Sequence, residues 1–237
     1  MMNGKQGFRR ALCGVALALA LVLAGPMGSL RAAAAPPTPA ATAPMPPVQV
    51  RLVTDQGTIV VAVDLAHAPL SAGDFLRYVD RGLYAGASFY RTVRRDNDHG
   101  TPQIEVIQGG VAGDDTPAPP VAHESTQTTG LRHHDGTLSL ARGAVGTGSA
   151  AAFFICIGEQ PGLDFGGQRN PDRQGFAAFG QVQEGMDVVR RIHAAATDPA
   201  RGEDYVRGQL LVKPVRILRA ERVEPAPQAV PPGVALR

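Results

Sequence analysis

Residues 48–65 read VQVRLVTDQGTIVVAVDL, and their pattern decides the fold class. Val48, Val50 and Leu52 alternate, Asp55-Gln56-Gly57 is a turn signal, and Ile59, Val61, Val63 and Leu65 alternate after it. A side-chain period of two on both sides of a turn marks a β-hairpin. Next in the chain, the segment from Pro69 to Arg81 is expected to be a helix. Ser71 is placed to cap it, Asp74 suits its first turn, and Gly82 ends it. Phe75, Leu76, Tyr78 and Val79 supply its apolar face. Short strands are expected at Ser88–Val93, Ile104–Gln108, Thr137–Ala141, Ala152–Ile157, Phe176–Val182 and Leu211–Arg219. A second helix is expected from about Glu184 to Ala194, with Met186, Val188, Val189 and Ile192 as its buried set.

Seven or eight short strands with two helices far apart in sequence do not make a βαβ alternation. They argue for a mainly β fold, an antiparallel barrel with helices over its open ends. Eight strands leave an interior just filled by side chains, so a ligand must bind on the outer wall. The polar, Gly/Pro-rich segments 94–103 and 109–135 read as loops, of a length that is usually functional or mobile.

The chain has 237 residues, of which 44% are hydrophobic and 19% charged, with 28 Gly and 20 Pro. These totals exclude a coiled coil, a collagen repeat and a multi-pass membrane protein, and they leave one domain as the default. Residues 1–34 read as a secretory signal. Lys5, Arg9 and Arg10 precede an apolar run from Ala11 to Ala24, and Ala32-Ala33-Ala34 offers small residues for cleavage. The alternative is a membrane anchor, but the apolar run is shorter than the roughly 20 residues a spanning helix needs. Without these residues the balance is 19 basic to 21 acidic side chains, so nothing advertises nucleic acid or anionic lipid as a partner. Cys156 is then the only cysteine, so no internal disulfide is expected, and its apolar strand reads as buried and unreactive. Residues 35–47 form a Pro/Ala-rich linker, residues 48–224 the domain, and residues 225–237 a Pro-rich tail.

Several tags then recur in order: Phe89-Tyr90-Arg91, Gln108-Gly109-Gly110, Leu138-Ser139-Leu140-Ala141-Arg142, Phe153-Phe154-Ile155, Phe179-Gly180-Gln181-Val182 and Glu184-Gly185-Met186-Asp187-Val188-Val189. With the opening hairpin and the Ala68-Pro69…Phe75-Leu76 helix, they resemble the cyclophilin family of peptidyl-prolyl isomerases over about residues 48–221. The resemblance implies a closed eight-stranded antiparallel β-barrel capped by two α-helices. It also implies a shallow groove on one barrel face that takes extended peptides containing Xaa-Pro.

Rotation about an Xaa-Pro bond breaks no covalent bond, so it calls for no nucleophile, metal or cofactor. At the twisted transition state the amide loses resonance, and its nitrogen becomes a better hydrogen-bond acceptor than in either planar state. A fixed donor there binds the transition state more tightly than the ground states. By resemblance Arg91 is that donor, facing opposite to Tyr90 on its strand, and Gln108 orients it and the peptide. Phe154 lines the proline pocket while Phe153 points into the barrel. Val106 and Phe176 line the groove, Leu163 forms its rim, and Ala141, Arg142 and Gly143 offer backbone for strand-like pairing with the peptide.

Departures from the family pattern stand beside the matches. Glu105 occupies a position where the family places an aromatic. It either pairs with Arg91 or, if the preceding loop shifts the alignment, faces solvent. Ala152 stands for a groove glutamine and Gly162 for a Trp or Phe. The expected function is thus isomerisation of Xaa-Pro bonds in exported proteins, periplasmic if the source is a Gram-negative bacterium, by a monomer without stable membrane insertion. The alternative is a catalytically weak module that binds Pro-containing segments. Metal binding through His133, His134, His99 and His123 lacks metal-site spacing, and all four read as solvated loop histidines.

Overall fold

A computed structural model describes residues 45–111 and 117–223. The expected signal segment 1–34, most of the linker and the tail 225–237 lie outside the described residues. The hairpin forms as its alternation predicts. β1 (Val48–Thr54) and β2 (Gly57–Val63) pair in register from Val48↔Val63 to Thr54↔Gly57. The remaining strands are β3 (Ser88–Val93), β4 (Val106–Gly110), β5 (Thr137–Leu140), β6 (Ala152–Cys156), β7 (Ala177–Glu184) and β8 (Leu210–Arg222). They close in the order β1-β2-β7-β5-β6-β4-β3-β8, every pairing antiparallel. Closure removes the free edges that an open sheet would expose.

The interior is filled by alternate strand residues, among them Leu52, Ile59, Val61, Phe89, Ile107, Leu138, Phe153, Ile155 and Phe179, all without solvent exposure. Helix α1 (Pro69–Asp80) adds Phe75, whose ring meets Phe153 edge-on at 5.4 Å and Phe179 at 5.1 Å. Helix α3 (Met186–His193) buries Val188, Val189 and Ile192 as its periodicity predicts. Its start follows Gly185 at φ 88°, where a Cβ would lie 2.3 Å from the Thr58 carbonyl oxygen; only glycine fits that approach. The segment 109–135 is not all loop: the four-residue helix α2 (Thr126–Thr129) forms there, capped by the Ser125 hydroxyl.

The start of α1 departs from the sequence expectation. Its N-cap is Ala68, and Ser71 lies inside the first turn with its hydroxyl buried and unpartnered among the described residues. The cap comes instead from Glu124, whose carboxylate accepts the backbone N–H groups of Leu70 at 3.0 Å and Ser71 at 2.7 Å. Asp74 is buried and accepts the Ala150 N–H at 2.7 Å, tying the helix to the loop that leads into β6 rather than serving the helix dipole. Glu124→Ala is expected to lower the unfolding free energy by about 1–2 kcal/mol, the usual worth of a helix cap, read as a lower urea midpoint at constant slope.

A second, smaller cluster lies outside the barrel on the β4–β6 face. Val93, Ile104, Val106, Phe154, Cys156 and Leu163 pack together there, with Ala141 and Phe176 against them. The thiol of Cys156 is sealed in this cluster, and burial pushes its pKa well up.

Candidate active site

The outer face of β3, β4 and β6 is where the sequence-named residues meet. Arg91 pairs across the ladder with Gln108, and Gln108 with Phe154. A β-bulge between Phe89 and Arg91 breaks the expected alternation. Tyr90 therefore does not oppose Arg91; both reach Gln108. The Gln108 amide nitrogen donates to the Tyr90 hydroxyl at 3.0 Å, and its oxygen accepts from Nη1 of Arg91 at 2.7 Å. On its other side the guanidinium donates from Nε and Nη2 to the amide oxygen of Gln209, at 2.9 and 2.6 Å. The Tyr205 ring lies over it, 5.4 Å from the guanidinium carbon. Burial lowers the Arg91 pKa from its ordinary value, yet an arginine stays charged at neutral pH.

Arg91, Val106, Gln108, Ala141, Arg142, Gly143, Phe154, Leu163 and Phe176 all line one cavity of about 600 Å³. Part of its wall is apolar, and there Phe176 meets Phe154 edge-on at 5.3 Å. Leu163 is fully buried in this wall rather than standing at a rim. The backbone of Ala141–Gly143 is more committed than strand-like pairing requires. The Ala141 N–H donates to the Ala152 carbonyl at 2.9 Å and the Gly143 N–H to the Thr147 hydroxyl at 3.2 Å. The Arg142 N–H is the one of the three without a partner among the described residues. The Arg142 side chain has a role of its own. It forks onto Asp172 at 2.7 and 2.9 Å and covers the Phe176 ring at 5.3 Å, fixing that ring in place. The Arg142 hydrogen bonds pull the Asp172 pKa down to about 2.

The histidines are held separately. His134 pairs with Glu159, His99 meets the Arg207 carbonyl and His123 the Gln174 carbonyl. Contrary to the expectation of a solvated loop residue, His133 is 1% exposed. Its Nδ1 lies 2.8 Å from Asp164 and its Nε2 3.0 Å from the Ser139 hydroxyl, and its ring stacks behind Phe154 at 6.0 Å. Burial lowers its pKa despite Asp164. A folded-state pKa below the unfolded value of 6.5 means that the neutral ring stabilises the fold above that pH, and this contribution is lost as pH falls. Burial lowers His193 as well, so the two share the effect. Between about pH 7.5 and about pH 5.5 the melting temperature of His133→Asn should fall less than that of wild type.

The model of the cyclophilin type peptidyl-prolyl cis-trans isomerase/CLD family matches residues 49–222. The chain belongs to this family. Cyclophilins of this type form an enzyme class, and the similar curated proteins carry its name. Peptidyl-prolyl cis-trans isomerase A of Dickeya dadantii is 35% identical over 152 residues, 63% of this chain and 73% of the relative. Peptidyl-prolyl cis-trans isomerase B of Escherichia coli is 30% identical over 146 residues, 61% of this chain and 83% of the relative. A crystal structure of a cyclophilin type isomerase from Cryptosporidium parvum, obtained in the presence of the dipeptide Ala-Pro, superposes with a TM-score of 0.57 at 18% identity. The match covers 75% of this chain and 99% of that one, and it shows the shared fold.

The departures from the cyclophilin pattern resolve as follows. Glu105 does not face Arg91: it binds Arg95 at 2.8 Å, and its neighbour Ile104 supplies the apolar wall instead. Ala152 lines the cavity with no side-chain hydrogen bond to offer. Gly162 is not a gap, because a Cβ there would lie 2.5 Å from Cγ of Pro102. The enlarged loop 94–105 thus lays Pro102 where a side chain at 162 would stand. That loop is pinned by Asp98, whose two oxygens each receive an Arg169 guanidinium nitrogen at 2.7 Å. Sequence reasoning passed over Gln209, Tyr205 and Arg169, because none lies within a family tag and each reaches the site from a distant segment.

Proposed function

We propose that this chain accelerates cis–trans rotation of Xaa-Pro bonds in exported polypeptides, with Arg91 as the transition-state donor. The observation that carries this reading is the setting of Arg91. A charged guanidinium, held by two neutral amide oxygens, lines the same cavity as the apolar side chains of Val106, Phe154, Leu163 and Phe176. The wall takes the proline ring by burial. The guanidinium offers an N–H to the amide nitrogen as its lone pair localises, and Gln108 keeps that N–H in position. The uncatalysed barrier is about 18–20 kcal/mol, so even one such donor matters. No step needs a cofactor.

The alternative, a catalytically weak or inactive Pro-segment binder, is told apart by whether Glu105 competes for Arg91, and Glu105 is engaged by Arg95 instead. Export rests on the basic-apolar-small pattern of residues 1–34 and predicts recovery of an N-terminally shortened, monomeric chain outside the cytoplasm. The direct test is NMR exchange spectroscopy on a short Ala-Pro peptide with and without the purified chain. Faster exchange between the cis and trans resonances supports the assignment. Resonance shifts on binding without faster exchange would establish a binder.

A further inference from the structure

We propose that Gln209 is a positioning residue for this isomerisation: a buried neutral clamp that aims the Arg91 guanidinium without quenching its charge. The proposal rests on Arg91 being the donor. A guanidinium has five N–H groups in one plane. Gln209 accepts from Nε and Nη2, and Gln108 accepts from Nη1 on the other arm, so the plane is fixed from two sides. Two N–H groups, one on each Nη, are left for substrate. The clamp is itself rigid. Gln209 has no solvent exposure, and its amide nitrogen donates to the Asn97 carbonyl at 2.7 Å. Its backbone carbonyl accepts the Thr92 N–H at 2.9 Å, one residue after Arg91.

The chemical type of the clamp matters as much as its position. A carboxylate would hold the fork just as well, but it would set a negative charge against the guanidinium and weaken its field at the substrate nitrogen. Among the described residues no carboxylate forms a salt bridge with Arg91, whereas the other two arginines lining the cavity, Arg142 and Arg169, are paired with Asp172 and Asp98. The arginine assigned to the chemistry is the one whose charge is left uncompensated.

The test compares Gln209→Ala, which frees the fork, with the near-isosteric Gln209→Glu, which keeps an oxygen towards Nε and Nη2 and adds the charge, at the loss of the N–H bond to the Asn97 carbonyl. Peptide exchange is measured on the full chain at saturating and sub-saturating Ala-Pro peptide, beside Arg91→Ala. Both Gln209 variants are expected to lower kcat by about 10- to 100-fold with KM nearly unchanged, as expected when a reacting group is misaimed or muted rather than removed. In wild type the Arg91 Nε–H should exchange slowly with water by 15N NMR, and in Gln209→Ala quickly. Should the alanine variant not fold, Gln209→Glu carries the kinetic arm and the wild-type Nε–H exchange rate the structural one. Wild-type kcat in folded Gln209 variants, with Arg91→Ala inactive, overturns the clamp and leaves the donor standing. Wild-type kcat in Arg91→Ala as well overturns the donor itself.

Discussion

Replacing Arg91 by alanine is expected to lower the isomerisation rate at saturating peptide by about 100- to 1,000-fold, the usual loss when one preorganised donor is removed. That corresponds to about 3–4 kcal/mol of transition-state stabilisation. The apolar wall is untouched by the change, so peptide affinity should fall far less than the rate. Arg91→Lys should remain strongly impaired. A lysine carries the charge, but it has no planar fork with which to engage Gln108 and Gln209 together while presenting a further N–H. Line-shape or exchange measurements on an Ala-Pro peptide give rate and affinity from one titration. Undiminished exchange in Arg91→Ala would remove the donor from the mechanism.

Asp98→Ala is expected to be the most destabilising single change near the groove. The Asp98 side chain is fully buried, and Arg169 is 10% exposed. Besides the two bonds from Arg169, the carboxylate accepts the N–H groups of Gly100 at 3.0 Å and Ile104 at 2.8 Å. Burial alone would raise the Asp98 pKa, but these bonds outweigh it and hold the pKa below the ordinary carboxylate value. Removing the carboxylate strands a buried guanidinium whose remaining partner is the Pro102 carbonyl at 2.9 Å. Breaking one side of such a pair costs about 3–5 kcal/mol, or roughly 10 °C in melting temperature for a domain of this size. The double variant Asp98→Ala/Arg169→Met should recover much of the loss, since it leaves no unpaired charge. Peptide affinity should weaken with it, because the same loop carries Gly100 and Ile104 to the cavity wall. A melting temperature within a degree of wild type would refute the argument.

Most of the barrel was legible because a period of two needs only local sequence to be seen. The β1–β2 hairpin and both longer helices form within two residues of the expected bounds. The nine named groove residues come to one cavity: Arg91, Val106, Gln108 and Phe154 stand on the neighbouring strands β3, β4 and β6, and Ala141, Arg142, Gly143, Leu163 and Phe176 reach it from the segments around them. What escaped notice depends on contacts between distant segments. Glu124 caps a helix 53 residues away, and Gln209 grips an arginine 118 residues away. The first needs the path of the loop that carries Glu124 to α1, and the second the register of β3 against β8. The bulge at Tyr90 escaped for another reason: one inserted residue leaves the composition of the strand intact while reversing which side chains share a face.

The order of strands around the barrel also has a consequence for synthesis. β8 pairs with both β1 and β3, so the last strand of the domain forms the seam between its first and third. A nascent chain lacking residues 210–222 has two unpaired strands facing an open gap and an interior exposed to water. Folding must therefore wait until translation has passed Arg222, since no shorter piece can close the cylinder. For the export proposed above, a polypeptide that stays unfolded until it is complete is one that a narrow translocation channel can still thread.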